Sequence, residues 1–472
     1  MTTIRIDPVT RISGLLNIEV QVENNKIVDA KVSGSQFRGF EKMFEGRPPF
    51  DIIRLVPRVC GICSTHHAIT SVRAFENAMN ITPDLNGRIA RDIANGFEML
   101  QNYIRHIYFF VIPDYVKLIN VNPLFKTGTS EQVDYRLNDE DTNKINEDYL
   151  EAVRLSREAH KALAVLVGKV PHPHGIWIGG ITTDIGIQQI QAIKYSISII
   201  KDFINRKLIP DIEIISKVYN DYYKIGSGYG NLMNYGLYND YDKNINYVDA
   251  GLIIKGQNEK FDINNITRDI ENSWMKAPNN ILIPGISAPP EPDAFKPKAY
   301  TWIDAPRYRG SAMEVGALAR MTISGKYRHG ISVMDRIVAK AYEAKVICEV
   351  IEKLIEMLKL SEEEQQVLQS PIKAKGVGLS EAERGSLAHW ITVENGMISN
   401  YTLIPPSAWN FSPTDRKGLK GTVEQALIGA EINDINAPVE IGRIVRSFDP
   451  CLNCAVHVTS NRHKPINIII NS

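Results

Sequence analysis

Cysteine is scarce in this chain: five occur in 472 residues, Cys60, Cys63, Cys348, Cys451 and Cys454. An odd count in a large chain with no leader speaks against a disulfide framework. Long apolar runs are missing too. Stretches such as Tyr108–Pro113 and Ile468–Ile470 fall far short of the ~20 residues a bilayer-spanning helix needs. The start MTTIRIDPVT has no basic segment leading into an apolar one, so no signal peptide is expected. A partner could still carry the chain across a membrane or anchor it there. The compartment therefore stays open between cytoplasmic and membrane-associated through partner subunits. There is no excess of either charge, because Lys plus Arg and Asp plus Glu both total 54. That balance argues against a nucleic-acid binder, whose domain would be basic. Repeats and low-complexity linkers are absent. The glycines of IGSGYGN (Gly226, Gly228, Gly230) lack the spacing and the strand–loop–helix setting of a dinucleotide fingerprint, and read as a turn.

What is present is the composition of a globular protein, 44% apolar and 23% charged. Residues 15–33 alternate around Glu23-Asn24-Asn25-Lys26 and predict a β-hairpin. Helical periodicity then dominates, roughly over 86–112, 146–168, 186–222, 312–323 and 330–369, while 120–146 and 225–300 read as loops or small strand-bearing insertions. Residues 388–405 return to strand-like alternation. The expectation is a mainly α chain with small β elements, an α+β fold, forming one large domain over 1–472. Cys348, alone in an apolar helical pattern, reads as a buried small hydrophobe.

The other four cysteines form two CxxC pairs near opposite ends of the chain: Arg58-Val-Cys60-Gly-Ile-Cys63-Ser-Thr-His66-His67 and Asp449-Pro450-Cys451-Leu-Asn-Cys454-Ala-Val-His457. A CxxC turn can aim two sulfurs at one metal, and Gly61 and Pro450 help shape the two turns. Zinc ribbons place their pairs ~15–20 residues apart. Pairs drawn from the two ends of the chain suit the burial of a reactive metal better than the stapling of a small module. Thiolates favour soft or borderline metals. Spacing alone leaves structural zinc, an iron–sulfur cluster and a nickel-type catalytic site open.

The flanking residues resemble a known family. RVCGICSTHH is similar to the RxCGxCxxxH motif of nickel–iron hydrogenase large subunits, and DPCLNCAVH to their DPCxxCxxH. FRGFE (37–41), PHPHGIWIGG (171–180), APRYRGSAMEVGALAR (305–320), EAERGSLAHW (381–390) and PPSAWNFSPTD (406–415) follow in family order. The resemblance implies that family's fold, a helical bundle core with peripheral β-hairpins. It implies a nickel–iron centre with carbon monoxide and cyanide on the iron. Cys60, Cys63, Cys451 and Cys454 would ligate nickel, with Cys63 and Cys454 bridging to iron. Arg384 would hang over the metals, oriented by Asp449, and Ser407 would hydrogen-bond a cyanide. His67 would donate to a ligand sulfur. Glu41 and His457 would hold a magnesium (or iron) ion near the C-terminus. Trp177 and Trp409 read as packing residues, and His66 as a structural histidine.

The implied reaction is reversible heterolysis of dihydrogen to a proton and a hydride, followed by two one-electron transfers. Cys454, Cys451 or Arg384 would be the first proton acceptor. With all four paired cysteines at one site, no iron–sulfur cluster is expected in this chain. An iron–sulfur small subunit must then receive the electrons. The resemblance further implies a maturation chaperone and a nickel-dependent endopeptidase that removes the extension at 458–472. A complex I-type quinone-reductase subunit, a slow hydrogen sensor and a structural zinc protein are the competing readings. Three departures stand out. The family commonly reads RIEGH where this chain has Arg11-Ile12-Ser13-Gly14-Leu15, Asn102 stands where Asp is frequent, and Glu383 replaces the usual Pro before Arg384. Ser13 can relay a proton through water but cannot store one near neutral pH.

Overall fold

A computed structural model describes residues 1–118, 134–242, 244–360 and 368–455, without the side chains of Cys454 and Ala455. Within these residues β1 (Thr2–Ile6), β2 (Leu16–Glu23) and β3 (Lys26–Gly34) form an antiparallel sheet in the order β1-β2-β3. Asn24 and Asn25 close the β2–β3 turn with φ of 49° and 61°, the left-handed pair a tight two-residue hairpin demands.

The helical body is built from α1 (Ser64–Met79), α2 (Leu85–Arg105), α3 (Asp139–Val167), α4 (Ile187–Phe203), α5 (Val333–Met357) and α6 (Val439–Ser447). α2 packs between α3 and α5, and α4 closes the bundle against both of those helices. α2 is buried almost throughout from Ile89 to Ile104. Its polar residues must therefore find partners inside the protein. A hairpin of β4 (Ala374–Ala382) and β5 (Gly385–Glu394), extended by β6 (Met397–Ile404), packs across α1. One continuous apolar core draws residues from Val9 to Leu452. No helix among the described residues is long and apolar enough to cross a membrane.

Several boundaries differ from periodicity. α3 begins at Asp139 rather than near 146. Asn138 caps it by accepting from Asp141 N, and Asp139, Glu140 and Asp141 fill its first turn, where the helix dipole favours acids. The stretch expected as one helix over 186–222 is interrupted by a π-turn at Ile204–Leu208, just before Pro210, whose missing N–H breaks the regular ladder. Only Ala317–Ile323 of 312–323 is helical. α5 ends at Met357, and 361–367, inside the expected helix, lies outside the described residues. β4 was not expected at all. Cys348 is buried and free in α5.

Candidate metal centre

The N-terminal pair lies where a short 3-10 turn (Val56–Val59) meets α1. Cys60 is extended, and Cys63 is the N-cap residue of α1. The amides of Ile62 and Cys63 donate to Cys60 Sγ at 3.3 and 3.5 Å.

The C-terminal pair follows α6. That helix ends with Asp449 in the left-handed region (φ 53°) and Pro450 behind it, a stop that turns the chain sharply. The emerging strand zips onto the N-terminal segment: Ser13 N donates to Pro450 O at 3.2 Å, and Leu452 N to Ser13 O at 2.7 Å. Gly14 makes this approach feasible, since a Cβ there would meet Asn453 N at 2.8 Å. Arg38, in the FRGFE segment, donates to both Val59 O and Asn453 O. It thereby clamps the two ends of the chain together.

The result is one buried cluster in which the sulfurs of Cys60, Cys63 and Cys451 all lie within 4.8 Å of one another. Cys60 and Cys451 Sγ are 3.5 Å apart and not disulfide-bonded. Cys454 belongs to the short helix Leu452–Ala455, but its side chain, like all of His457 and the extension 458–472, lies outside the described residues.

Arg384 and Glu383 form the two-residue tip of the β4–β5 hairpin, with Ala382 paired to Gly385. The tip is driven into the protein, and both side chains are buried. Gly385 (φ +125°) allows this, because a Cβ there would press on Gly316 N at 2.6 Å. Arg384 Nε donates to Asp449 O at 3.1 Å and lies 3.1 Å from its Oδ1. Its other contacts are Asn102 Oδ1, at 3.3 Å, and Glu383. Burial opposes the charge, but Asp449 and then Cys451 and Glu383 outweigh it and hold the guanidinium well above its ordinary pKa. Asp449 also accepts from Lys340 Nζ at 2.7 Å. Burial would raise its pKa, yet Arg384 and Lys340 hold the carboxylate below the usual range. Lys340 in turn lies 3.1 Å from His106 Nδ1, and His106 Nε2 lies 2.7 Å from Arg446 O. Burial pushes His106 down to about 3. It is neutral, with the proton on the nitrogen facing the carbonyl.

Ser407 Oγ accepts from Cys451 N at 3.0 Å, which leaves its own proton to donate elsewhere. His67 Nδ1 is 3.1 Å from His389 Nε2, and His389 Nδ1 is 2.8 Å from Tyr401 Oη. Burial lowers the His67 pKa to about 3. Its Nε2 is buried and has no hydrogen-bond partner among the described residues. Glu41 is placed elsewhere. Its carboxylate takes Arg268 Nη1 at 3.0 Å and Leu403 N at 2.9 Å, and Arg268 also pairs with Asp304. A cavity of about 280 Å3 opens beside Glu41. Trp409 is fully buried in the core, and Trp177 packs edge-on against Phe50 under Arg54.

Periodicity did not single out Asn95 or Glu98. With Asn102 they recur at i, i+3 and i+7 along α2, a buried polar stripe that a helix carries only when it meets polar partners. Glu98 receives the amides of Thr65 and His66 at 3.1 and 3.0 Å, closing the first turn of α1. His66 Nδ1 is 2.5 Å from Asn95 Oδ1. Its Nε2 faces Glu383 Oε2 at 2.8 Å and Glu98 Oε2 at 3.4 Å.

Soft sulfur donors contributed by both ends of a chain, sealed from water beneath a permanent cation, point to a metalloenzyme that handles electrons. A family model described as nickel-dependent hydrogenase matches residues 38–126 and 122–457. The periplasmic NiFeSe hydrogenase large subunit of Desulfomicrobium baculatum is 34% identical, covering 96% of this chain and 95% of that protein. The hydrogenase-2 large chain of Escherichia coli is 28% identical, covering 96% and 97%. The solved structure of the H2-activated D. baculatum NiFeSe hydrogenase superposes with a TM-score of 0.92 at 33% identity, over 97% of this chain and 100% of that one. The chain belongs to the nickel-dependent hydrogenase family, as a catalytic large subunit. The quinone-reductase, sensor and zinc readings are not favoured.

Proposed function

We propose that the cluster at Cys60, Cys63 and Cys451, completed by Cys454, holds a nickel–iron centre, and that this subunit uses it to split or form dihydrogen. The observation that carries the reading is the convergence of three buried sulfurs within 4.8 Å of one another. The residues fit the group. The donor set is soft, it is buried, and His67 Nε2 is a buried polar atom without a partner among the described residues. When bound, the centre supplies the Lewis-acid and one-electron chemistry that makes dihydrogen acidic.

The chain's own residues do the rest. Cys63 and Cys454 would hold the iron as well as the nickel. A hydrogen-bond series from Tyr401 through His389 orients His67, whose Nε2–H is then available to a ligand sulfur. Ser407 Oγ–H and the remaining Arg384 donors would bind the cyanide of an iron that carries carbon monoxide as well. Asp449, anchored by Lys340, fixes the guanidinium in place. Such preorganised donors in a water-excluded site need no rearrangement during reaction. The first proton acceptor lies among Cys451, Cys454 and Arg384.

Glu41 and His457 are proposed to hold a magnesium (or iron) ion. In this structure Arg268, shared with Asp304, already pairs with Glu41, and no step is routed through the ion. Electrons leave to an iron–sulfur small subunit. The one remaining cysteine, Cys348, is isolated in α5 and cannot build a cluster. The chain acts as a single catalytic domain. A nickel-dependent endopeptidase removes 458–472 after a chaperone has assisted metal insertion.

The test is hydrogen-dependent dye reduction by the matured complex, with metal analysis. Activity together with nickel and iron is expected in the wild type, and loss of both metals in Cys451→Ser. Turnover by a Cys451→Ser protein that retains nickel would overturn the assignment.

A further inference from the structure

Ser13, 3.5 Å from Cys451 Sγ, gives the pocket no carboxyl on that side. The opposite side does have one. Glu383 is fully buried beside Arg384, with Oε1 on the guanidinium and Oε2 at 2.8 Å from His66 Nε2. The same His66 nitrogen also faces Glu98 Oε2, while Nδ1 is tied to Asn95. With Nδ1 tied to Asn95, Nε2 is the nitrogen turned to the two carboxylates. Three buried titratable groups share one site, and one of them, Glu383, adjoins the metal pocket's arginine. A structural ion pair needs only one acid. A second acid beside the same nitrogen costs like-charge repulsion unless a proton sits among them.

A way out also exists. A cavity of about 20 Å3 is lined by Glu383, Arg384, Lys340, Glu314, Arg336 and Ser447, which is room for one water. Glu314, paired with Arg336 at 2.8 Å, lies against Gly228 of the half-exposed IGSGYGN loop, where a Cβ would stand 3.7 Å from its Oε2.

We propose that Glu383 is the proton-transfer residue of this hydrogenase, taking the proton released on dihydrogen cleavage by way of Arg384 and sharing it with His66. This rests on the nickel–iron reading above. One H–H bond breaks. Its electron pair stays with the other hydrogen. Arg384 Nη1 hands an N–H proton to Glu383 Oε1 and regains one from the cleaved dihydrogen, so the guanidinium ends as it began, and the proton on Glu383 passes on to His66 Nε2 or to the cavity water. Burial lowers the His66 proton affinity, but Glu383 and Glu98 outweigh that and raise it, in keeping with a group that holds a proton there.

The experiment uses matured heterodimers carrying E383Q, E383D, H66Q and S13A. Metal content and the carbon monoxide and cyanide infrared bands report assembly. Dye reduction and D2–water exchange report turnover, and the infrared change on reduction reports carboxyl protonation. E383Q is expected to keep metals and bands while losing dye reduction and exchange by about 100-fold, with E383D recovering to within about tenfold of wild type. The protonated-carboxyl band should vanish in E383Q, and S13A should stay near wild type. Undiminished exchange in E383Q, or a carboxyl band that survives it, overturns the proposal. If E383Q fails to assemble, H66Q decides: slowed exchange with metals intact upholds the route, and a full rate overturns it. A wild-type complex without nickel would instead remove the underlying reading.

Discussion

Two buried arginines, Arg320 and Arg384, differ in how completely their donors are taken up. Arg320 is saturated. Nε and Nη2 grip Glu343 at 2.7 and 2.9 Å, Nη1 takes Glu381 Oε2 at 2.6 Å and Ala382 O at 3.0 Å, and Nη2 also reaches Tyr103 Oη at 2.8 Å. Arg384 directs three of its five N–H groups to Asp449, Glu383 and Asn102 among the described residues. Both are charged, and burial opposes both charges. The difference lies in what the remaining donors face. Arg320 is closed upon carboxylates that exist to balance it. Arg384 keeps donors free next to the sulfurs, and the negative charge that helps hold it includes Cys451 and Cys63. On the proposed reading, the open donors of Arg384 serve the metal centre and the closed ones of Arg320 serve the fold.

The largest effect should come from breaking the saturated partner. Arg320→Met strands Glu343 and Glu381, both fully buried, and should cost about 3–5 kcal/mol of stability. Denaturant unfolding of the chain would show it, and an unchanged midpoint would erase the contrast. Arg384→Lys keeps the charge but loses the planar fork. It should leave the midpoint nearly in place while dye reduction falls by about 10²–10³-fold, as for removal of one preorganised donor. A destabilised but fully active Arg384→Lys protein would reverse the two roles.

Asp114 offers an intermediate case. It ties Arg446, at 2.6 Å, and Arg11, near the segment that carries Ser13. Burial works to raise its pKa, yet Arg446 and Arg11 outweigh it and hold the folded value below the ordinary 3.8. A depressed folded pKa means that the stabilisation is complete above 3.8 and fades as pH falls through the lower, folded value. Asp114→Asn should lose about 2 kcal/mol near neutrality and flatten the dependence of unfolding on pH in that acid window. The smallest effect is expected for Ser13→Ala, within about threefold in dye reduction, because a hydroxyl cannot store the proton. A Ser13→Ala protein as slow as Arg384→Lys would move the proton exit to the Cys451 side.

The cysteine pairs were legible from their spacing and placement, and Arg384 only through the resemblance of EAERGSLAHW to a family motif. The helical body was legible through its period, and α3 slipped only where Asn138 and three acids outrank periodicity. Four things were hidden. β4 has no alternation strong enough to announce it, so Glu383 and Arg384 could not be seen as the tip of an inserted hairpin. Glu98 and Asn95 read as ordinary helix residues until α2 proved buried on all sides. The Arg38 clamp joins Val59 to Asn453, and the Glu383–His66 contact joins two segments more than 300 residues apart in the chain. Nothing local can encode such pairings. They follow from the way the helices and the hairpin pack.

The most direct measurement is nickel-edge X-ray absorption on the matured heterodimer. The account expects a first shell of sulfur around nickel with an iron neighbour, and loss of the nickel signal when Cys60 or Cys451 is changed to Ser. A nickel shell of nitrogen and oxygen, or zinc in place of nickel on these cysteines, would contradict it.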